Sequence, residues 1–501
     1  MRKIFIPLAF AALALAATVN GAVKRSWLAR NAAGVEAYAG RGAPQMSDVI
    51  QDVWADGSVA WVATVDGLGV TRDRGATWKT YREDGLPSND VLAVAARGGD
   101  IWASCIRVEK ENESYVYYGE GLAHYDASAG RWSVYGKRHG LPADGPLELA
   151  WDVVVDDAGV VWVALWDGGI GKSADGGRTW ELIVPKDREG RDAKHFYSLA
   201  KRGGLIWAAA EVTYPNPNYN PEDPESPRFL SNLGVFKSED NGSSWTFYGA
   251  RQGVVGFAVV VNIQNVGGRD VVWVGTAPPD PANVSVLGNG VYKSEDGGAS
   301  WVNCNMAQGL GSHTVYGFAS SGPWAWAGTY ARNTPGGVSR TNDRGATWEN
   351  YGVEAGLPTP YVTTVAAASA TEVWAGTDLG LGYSSDSGAT WRKVELTPPA
   401  GRVDLPAAFA FPSPFAPQQD YFMTIRYGLA RGGTVTLDIY DFAGRRVTRL
   451  VDHEYRGPGE RIDEYWRGER EDGTPAANGV YFFTLEVDGE AAARGKFVVL
   501  N

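Results

Sequence analysis

A chain of 501 residues with 64 Gly, 20 Trp and 23 Tyr, and few stretches suited to a long amphipathic helix, points to many short strands joined by tight turns. The net charge of −12 excludes nucleic acid and anionic membrane as partners, since both require a basic surface. Two cysteines, Cys105 and Cys304, exclude a disulfide framework and read as buried thiols. The five histidines show no paired spacing that suits zinc, so neither a metal nor another cofactor is expected.

The chain opens with a basic start, a short apolar stretch and small residues, "MRKIFIPLAFAALALAATVNGAVKRS" (1–26). This reads as a secretory signal peptide over 1–21, with cleavage between Ala16 and Ala22. No second hydrophobic span follows, so no transmembrane anchor is expected after cleavage.

Residues 22–397 are organised by a repeated turn of the form S/T-x-D-x-G-x-S/T-W. Six good copies occur: "TRDRGATW" (71–78), "SADGGRTW" (173–180), "SEDNGSSW" (238–245), "SEDGGASW" (294–301), "TNDRGATW" (341–348) and "SSDSGATW" (384–391). A degraded seventh, "HYDASAGRW" (124–132), lies between the first two. The aspartates Asp73, Asp126, Asp175, Asp240, Asp296, Asp343 and Asp386 are read as structural: with the Ser/Thr they bond backbone N–H groups of a tight corner. Its Gly tolerates positive φ. Ahead of each turn runs a strand-like phrase on Trp61, Trp102, Trp162, Trp207, Trp273, Trp326 or Trp374. Another β-prone run precedes that phrase. Four short strands in each unit of about 43–65 residues predict a seven-bladed β-propeller, with the turns at the c–d corners of one face. In the sixth unit the strands are expected near 315–319, 324–329, 337–341 and 347–351.

Ring closure has two readings. "EAYAGRGAPQMSDV" (36–49) echoes "KTYREDGLPSNDV" (79–91), as an outer strand that latches the last blade would. "TWRKVEL" (390–396) claims the same outer position.

A Pro- and Ala-rich linker (398–410) leads into 411–501, where apolar and polar residues alternate between Gly, Asp and Asn turns. This predicts a small Ig-like β-sandwich. The whole chain is thus expected to be all-β.

The six turns resemble the Asp-box (BNR) repeats of sialidases, sortilin-type receptors, xyloglucan hydrolases and photosystem-assembly propellers, and "DGLPSNDVLAVAARGGDIWAS" (84–104) resembles the sensor propellers of two-component regulators. That resemblance implies the fold and leaves the activity open, because the motif is shared by different functions. The tail resembles the FlgD-like Ig fold and the type A sorting domain of the type IX secretion system through "PSPF" (412–415), "TIRYGL" (424–429), "LDIYDFAGRRV" (437–447), "NGVYFFTLE" (478–486) and "GKFVVLN" (495–501). Ser413 stands where Asn is usual and Asn501 where a basic end is common. The resemblance implies passage through the periplasm, contact of the tail with the outer-membrane secretion machinery, and residence outside a Gram-negative-type cell or on its surface. A monomer is expected.

Chemistry is harder to find. The Arg-Ile-Pro phrase of sialidases is replaced by "GRGAP" (40–44), and a xyloglucan hydrolase would carry two propellers. Asp66, Asp167 and Asp378 follow second strands and read as turn formers. Glu211 is the one weak catalytic candidate, and no G-x-S-x-G elbow, P-loop or HExxH occurs. Four long b–c loops (106–121, 212–232, 277–289 and 330–336) are expected on the face opposite the boxes. They carry the ligand-binding candidates Arg107, Tyr115, Tyr117, Tyr118, Tyr214, Tyr219, Arg228, Phe229, Tyr330 and Arg332. Aromatic and arginine side chains supply recognition surface at low entropic cost, though part of this set is expected only to pin the loops. The expectation is a non-catalytic binding protein for a glycan or protein. The alternatives are a glycoside hydrolase and a purely structural surface protein.

Overall fold

The structure is a computed structural model that describes residues 49–82, 85–111, 114–127, 130–220, 229–278, 288–331, 334–396, 408–411, 415, 417, 423–429, 433–456, 459–461 and 464–500. The signal segment, the N-terminal echo up to residue 48, Arg228, Arg332, Ser413 and Asn501 lie outside the described residues. The chain divides into two compact units that meet in sequence at Pro398 and Pro399.

In the first unit the described residues form seven four-stranded antiparallel sheets, each from one contiguous stretch and ordered a-b-c-d. The innermost strands are Ile50–Asp56, Asp90–Arg97, Ala150–Val155, His195–Arg202, Phe257–Val266, Val315–Ser321 and Val362–Ala367. Each packs against the next, and Ile50–Asp56 packs against Val362–Ala367, so the sheets close into a ring. This is a β-propeller. The sixth sheet (Val315–Ser321, Trp324–Thr329, Gly337–Thr341, Glu349–Tyr351) follows the expected strands within two residues.

Every inner strand carries a β-bulge at one equivalent place, between Ile50 and Asp52 in the first sheet and between Phe196 and Ser198 in the fourth. A bulge re-aims the following side chain. Three of these re-aimed groups accept from a backbone N–H of the next inner strand: Asp52 Oδ2 from Val94 (3.0 Å), Asp152 Oδ2 from Leu199 (2.8 Å) and Ser198 Oγ from Val261 (3.3 Å). The inner strands enclose a central channel of about 310 Å³.

The six good turns share one geometry. In the fifth sheet Ser294 Oγ donates to Asp296 Oδ1 (2.9 Å), Gly298 N–H donates to Ser294 Oγ (2.8 Å), and Ser300 donates through N–H and Oγ to the two Asp296 oxygens (2.9 and 2.6 Å). Hydrogen bonds to the charged form hold the carboxyls of Asp73, Asp175 and Asp240 down to about 2; those from Thr77, Thr179 and Ser244 dominate. The turn glycine does more than tolerate positive φ. It lies against the second-strand Trp of the preceding sheet: a Cβ on Gly177 (φ 86°) would fall 2.8 Å from Trp102, and one on Gly298 (φ 95°) 2.8 Å from Trp207. The turn's own Trp meets that same indole edge-on, as in Trp180–Trp102 (6.2 Å, 87°) and Trp301–Trp207 (5.6 Å, 86°). Turn and Trp phrase are therefore two halves of one contact between neighbouring sheets. In the degraded copy the first position is His124, which stacks on Trp102 (4.0 Å). Asp126 ends its strand and accepts Gly130 N–H at its carbonyl (2.8 Å). Trp61 is covered there by Tyr81, itself packed on Trp132.

The seventh sheet takes Arg392–Val394 as its outer strand, as "TWRKVEL" implied, and among the described residues no further strand joins it. The ring closes by the same kind of seam as elsewhere. Trp78 meets Trp374 edge-on (6.5 Å, 83°), Arg74 pairs with Glu372, and Thr363 Oγ1 donates to the Ile50 carbonyl (2.9 Å).

In the second unit, Ala408–Phe411, Met423–Leu429, Gly459–Arg461 and Tyr465–Trp466 form one sheet, so the segment expected as a linker up to 410 already runs into a strand. Arg446–Arg456, Gly433–Tyr440, Gly479–Val487 and Glu490–Val499 form the other. One core joins them, including Met423, Ile425, Tyr427, Leu437, Ile439, Trp466, Phe483 and Phe497. The period-2 alternation in Met423–Leu429 supplies every second residue to it.

Candidate functional site

In an a-b-c-d sheet the b–c and d–a connections share one end, opposite the c–d boxes. The described b–c segments there differ from the expected loops. Residues expected as the loop 106–121 are largely a hairpin, Asp100–Glu111 against Ser114–Asp126. The ends of 212–232 likewise continue the fourth sheet, with Val212 opposite Asn232 and Pro215 opposite Phe229. Alternation in "SYVYYGEG" and "EVTYP" carries the strands on into segments expected as loop.

Between the third and fourth sheets this end holds a cavity of about 520 Å³, lined among others by Asp167, Lys186, Arg191, Lys194, His195 and Tyr214. Three chain segments build it. The b–c turn of the third sheet bears Asp167 at φ 58°, and the N–H groups of Gly168 and Gly169 both donate to the Lys194 carbonyl (3.1 and 2.9 Å). The d–a connection 184–194 folds around Asp187, whose buried carboxylate accepts from the N–H groups of Glu189 and Arg191, from Arg191 Nε (2.7 Å) and from Asn232 Nδ2 (3.1 Å). Burial works to raise the pKa of Asp187, but the bonds from Arg191 and Asn232 outweigh it and leave the group below its ordinary value. Third, the hairpin of the fourth sheet brings Tyr214 under the Arg191 guanidinium, 3.9 Å from the ring centre. Lys186 pairs with Asp192 and Lys194 with Asp167 (3.9 Å), all four about half exposed and therefore weakly held.

Behind the cavity wall lies a buried polar row. His195 packs on Trp166 (4.4 Å), with its Nε2 3.3 Å from Thr213 Oγ1. Glu211 is 2% exposed; it accepts from Tyr197 OH (2.9 Å) and Ser231 Oγ (2.5 Å). The sole catalytic candidate is thus a buried carboxylate bound within its own sheet. Asp66 pairs with Arg82 (2.8 Å), and Asp378 accepts from Thr359 (2.6 Å), so of the three turn aspartates only Asp167 faces this cavity.

The remaining candidates separate by burial. Tyr117 (4% exposed) and Tyr330 (6%) are core residues, not ligand-facing ones; Tyr330 packs between Tyr316 and Tyr361. Arg107 is held by Glu120 (2.6 Å) over the Tyr118 ring (4.6 Å), a surface pair away from the cavity lining. Half-buried Tyr219 donates its N–H to the Asn216 carbonyl (3.2 Å). Only the backbone is described for Tyr115 and Phe229. The cavity's cations, Lys186, Arg191 and Lys194, were missed by sequence reasoning. Their signal is the charge-dense run "KDREGRDAK" (186–194) in a d–a position.

No family model matches the chain, and no curated protein matches it. Solved structures do resemble it. PorZ, a surface component of the type-IX secretion system of Porphyromonas gingivalis, is 14% identical with a TM-score of 0.44. The match covers 92% of this chain and 60% of PorZ, so the chain spans less than two thirds of that protein. YCF48 from Cyanidioschyzon merolae is 13% identical over 69% of this chain and 97% of its own, with a TM-score of 0.45. The extracellular domain of the two-component-system protein BT4673 from B. thetaiotaomicron is 12% identical over 90% and 68%, with a TM-score of 0.39. At these values the likeness assigns no function. Among the described residues no helix is long and apolar enough to cross a membrane, and no group of three or more His, Cys, Asp or Glu is placed to hold a metal ion.

Proposed function

We propose that this is an exported binding protein: a seven-bladed Asp-box propeller whose end opposite the boxes recognises a glycan, followed by an Ig-like domain that addresses the chain to an outer-membrane export machinery. The cavity between the third and fourth sheets carries the reading. Its volume of about 520 Å³ falls in the range of small-ligand sites, roughly 300–1,000 Å³, and suits a few sugar units. Its wall combines an aromatic ring, Tyr214, with the charged and hydrogen-bonding groups of Lys186, Lys194 and Asp167. The reading is non-catalytic because the buried Glu211 is engaged by Tyr197 and Ser231, whereas most glycosidases set two carboxyls on either side of the substrate bond. The sorting role rests on the tail motifs alone.

The test is a glycan array on the mature chain, followed by titration with each hit and a turnover assay on the same sugars. Saturable binding without sugar release is expected, weakened at least tenfold in Tyr214→Ala at an unchanged unfolding midpoint. Sugar release would establish a glycoside hydrolase. Full binding by Tyr214→Ala would move the site elsewhere.

A further inference from the structure

At the inner edge of the seam between the first and second sheets, two polar side chains are buried together. Gln51 sits in the bulge of Ile50–Asp56 and Asp90 begins Asp90–Arg97; they are 3% and 5% exposed. Gln51 Nε2 donates to Asp90 Oδ1. The amide oxygen of Gln51, Oε1, and the second carboxyl oxygen of Asp90, Oδ2, have no partner among the described residues. An ionised Asp90 would leave a buried carboxylate with one donor and an amide oxygen facing no donor at all, an arrangement that costs free energy twice. Turning the amide over exchanges which oxygens are orphaned and cures neither. One added proton cures both: Oδ2–H donates to Gln51 Oε1 while Nε2–H donates to Oδ1.

We propose that Asp90 is held as a neutral carboxylic acid, locked to the Gln51 amide by two reciprocal hydrogen bonds that clasp the first sheet to the second. The surroundings agree. Burial and the Gln51 amide are the influences on Asp90, and burial dominates, raising its pKa well above the ordinary value. On the second strand of the same sheet Cys105 stands opposite Val91, its thiol pushed up chiefly by burial, so this part of the seam is dry. Along the first strand the next carboxylate, Asp52, is already engaged by Val53 and Val94 N–H and by Thr364.

The test compares the full chain with Asp90→Asn, which keeps a reciprocal amide–amide pair and does not titrate. In the unfolded chain Asp90 ionises at about 3.9, while in the folded chain it stays protonated, so folding retains one more proton above that pH. The folded-to-unfolded ratio of the parent therefore falls about tenfold per pH unit relative to Asp90→Asn, up to the pH at which the folded acid ionises. Equilibrium unfolding of both proteins between pH 5 and pH 8 reads this directly. A stability difference independent of pH overturns the proposal. Infrared spectra of the parent at neutral pH give a second readout: a carboxylic-acid carbonyl band that shifts on isotopic labelling of the aspartate carboxyl carbon. Absence of that band overturns the proposal even if Asp90→Asn fails to fold.

Discussion

Replacing Gly298 by Ala tests whether the box turn is a corner in its own right or half of an inter-sheet contact. The new methyl would sit 2.8 Å from both Trp207 and Tyr248, inside van der Waals contact, at φ 95°. Strain in the left-handed region costs about 1–2 kcal/mol, and overpacking against two fixed rings a further 1–3, giving roughly 2–5 kcal/mol in all. The neighbouring Gly297 provides the control. It also has positive φ (71°), but a methyl there meets only the tip of Lys237 at 3.1 Å, and four of the five equivalent positions in the other turns carry side chains, Arg74, Asn241, Arg344 and Ser387, the fifth being Gly176. Gly297→Ala should therefore cost no more than about 1–2 kcal/mol. Asp296→Ala removes three side-chain acceptances and should cost about 1–2 kcal/mol, with no change in ligand binding. Denaturant unfolding followed by tryptophan fluorescence ranks the three. If Gly298→Ala is no worse than Gly297→Ala, the glycine serves the turn alone and the seam argument is wrong.

Acid should loosen the ring through the boxes. Carboxyls held near 2 at Asp73, Asp175 and Asp240 contribute stability that is full above the unfolded value of about 3.9 and lost as pH falls toward 2. A midpoint-versus-pH curve for Asp73→Asn that falls as steeply over that window as the parent's would refute the assignment. Glu211→Gln should lower the unfolding midpoint, by about 1–2 kcal/mol, and leave glycan affinity unchanged; a loss of affinity at full stability would place the carboxylate in the site. A chain ending at Pro398 should fold with an intact propeller, seen as a cooperative transition, and should accumulate in the periplasm of an exporting host. Its appearance outside the cell by fractionation would show that the tail is no address.

What could be read from the sequence was what physics demands locally. A turn needing Ser/Thr, Asp, Gly and Trp at set spacings leaves those letters in each repeat, and period-2 alternation marks Met423–Leu429 without any partner in view. The bulge clasps leave no such mark. The equivalent positions are Asp52, Ala93, Asp152, Ser198, Val260, Gly317 and Thr364, and only the folded ring shows that three of them reach a neighbour's N–H. The binding candidates suffered from the same blindness to distance. Tyr117 and Tyr330 have the composition of a recognition surface but fill the core, whereas Arg191 earns its place only because the hairpin carrying Tyr214 folds back beneath it.

Among the described residues the ring closes without an interlocked strand, and this bears on how it responds to pulling. The described propeller begins and ends at a single seam, with Ile50–Asp56 on the inside of one sheet and Arg392–Val394 on the outside of its neighbour. Tension delivered through the C-terminal end thus meets a three-residue edge strand first. Once that strand has peeled away, the load falls on the box turn behind it, where the Ser387 carbonyl accepts from Trp326 Nε1 of the sixth sheet (2.8 Å), and only afterwards on the strand that carries Trp374 of the closing seam. A machine that grips the tail and draws the chain through a narrow opening would dismantle the molecule sheet by sheet from the seventh backwards. One that carries it folded must hold the tail without transmitting force to residue 392.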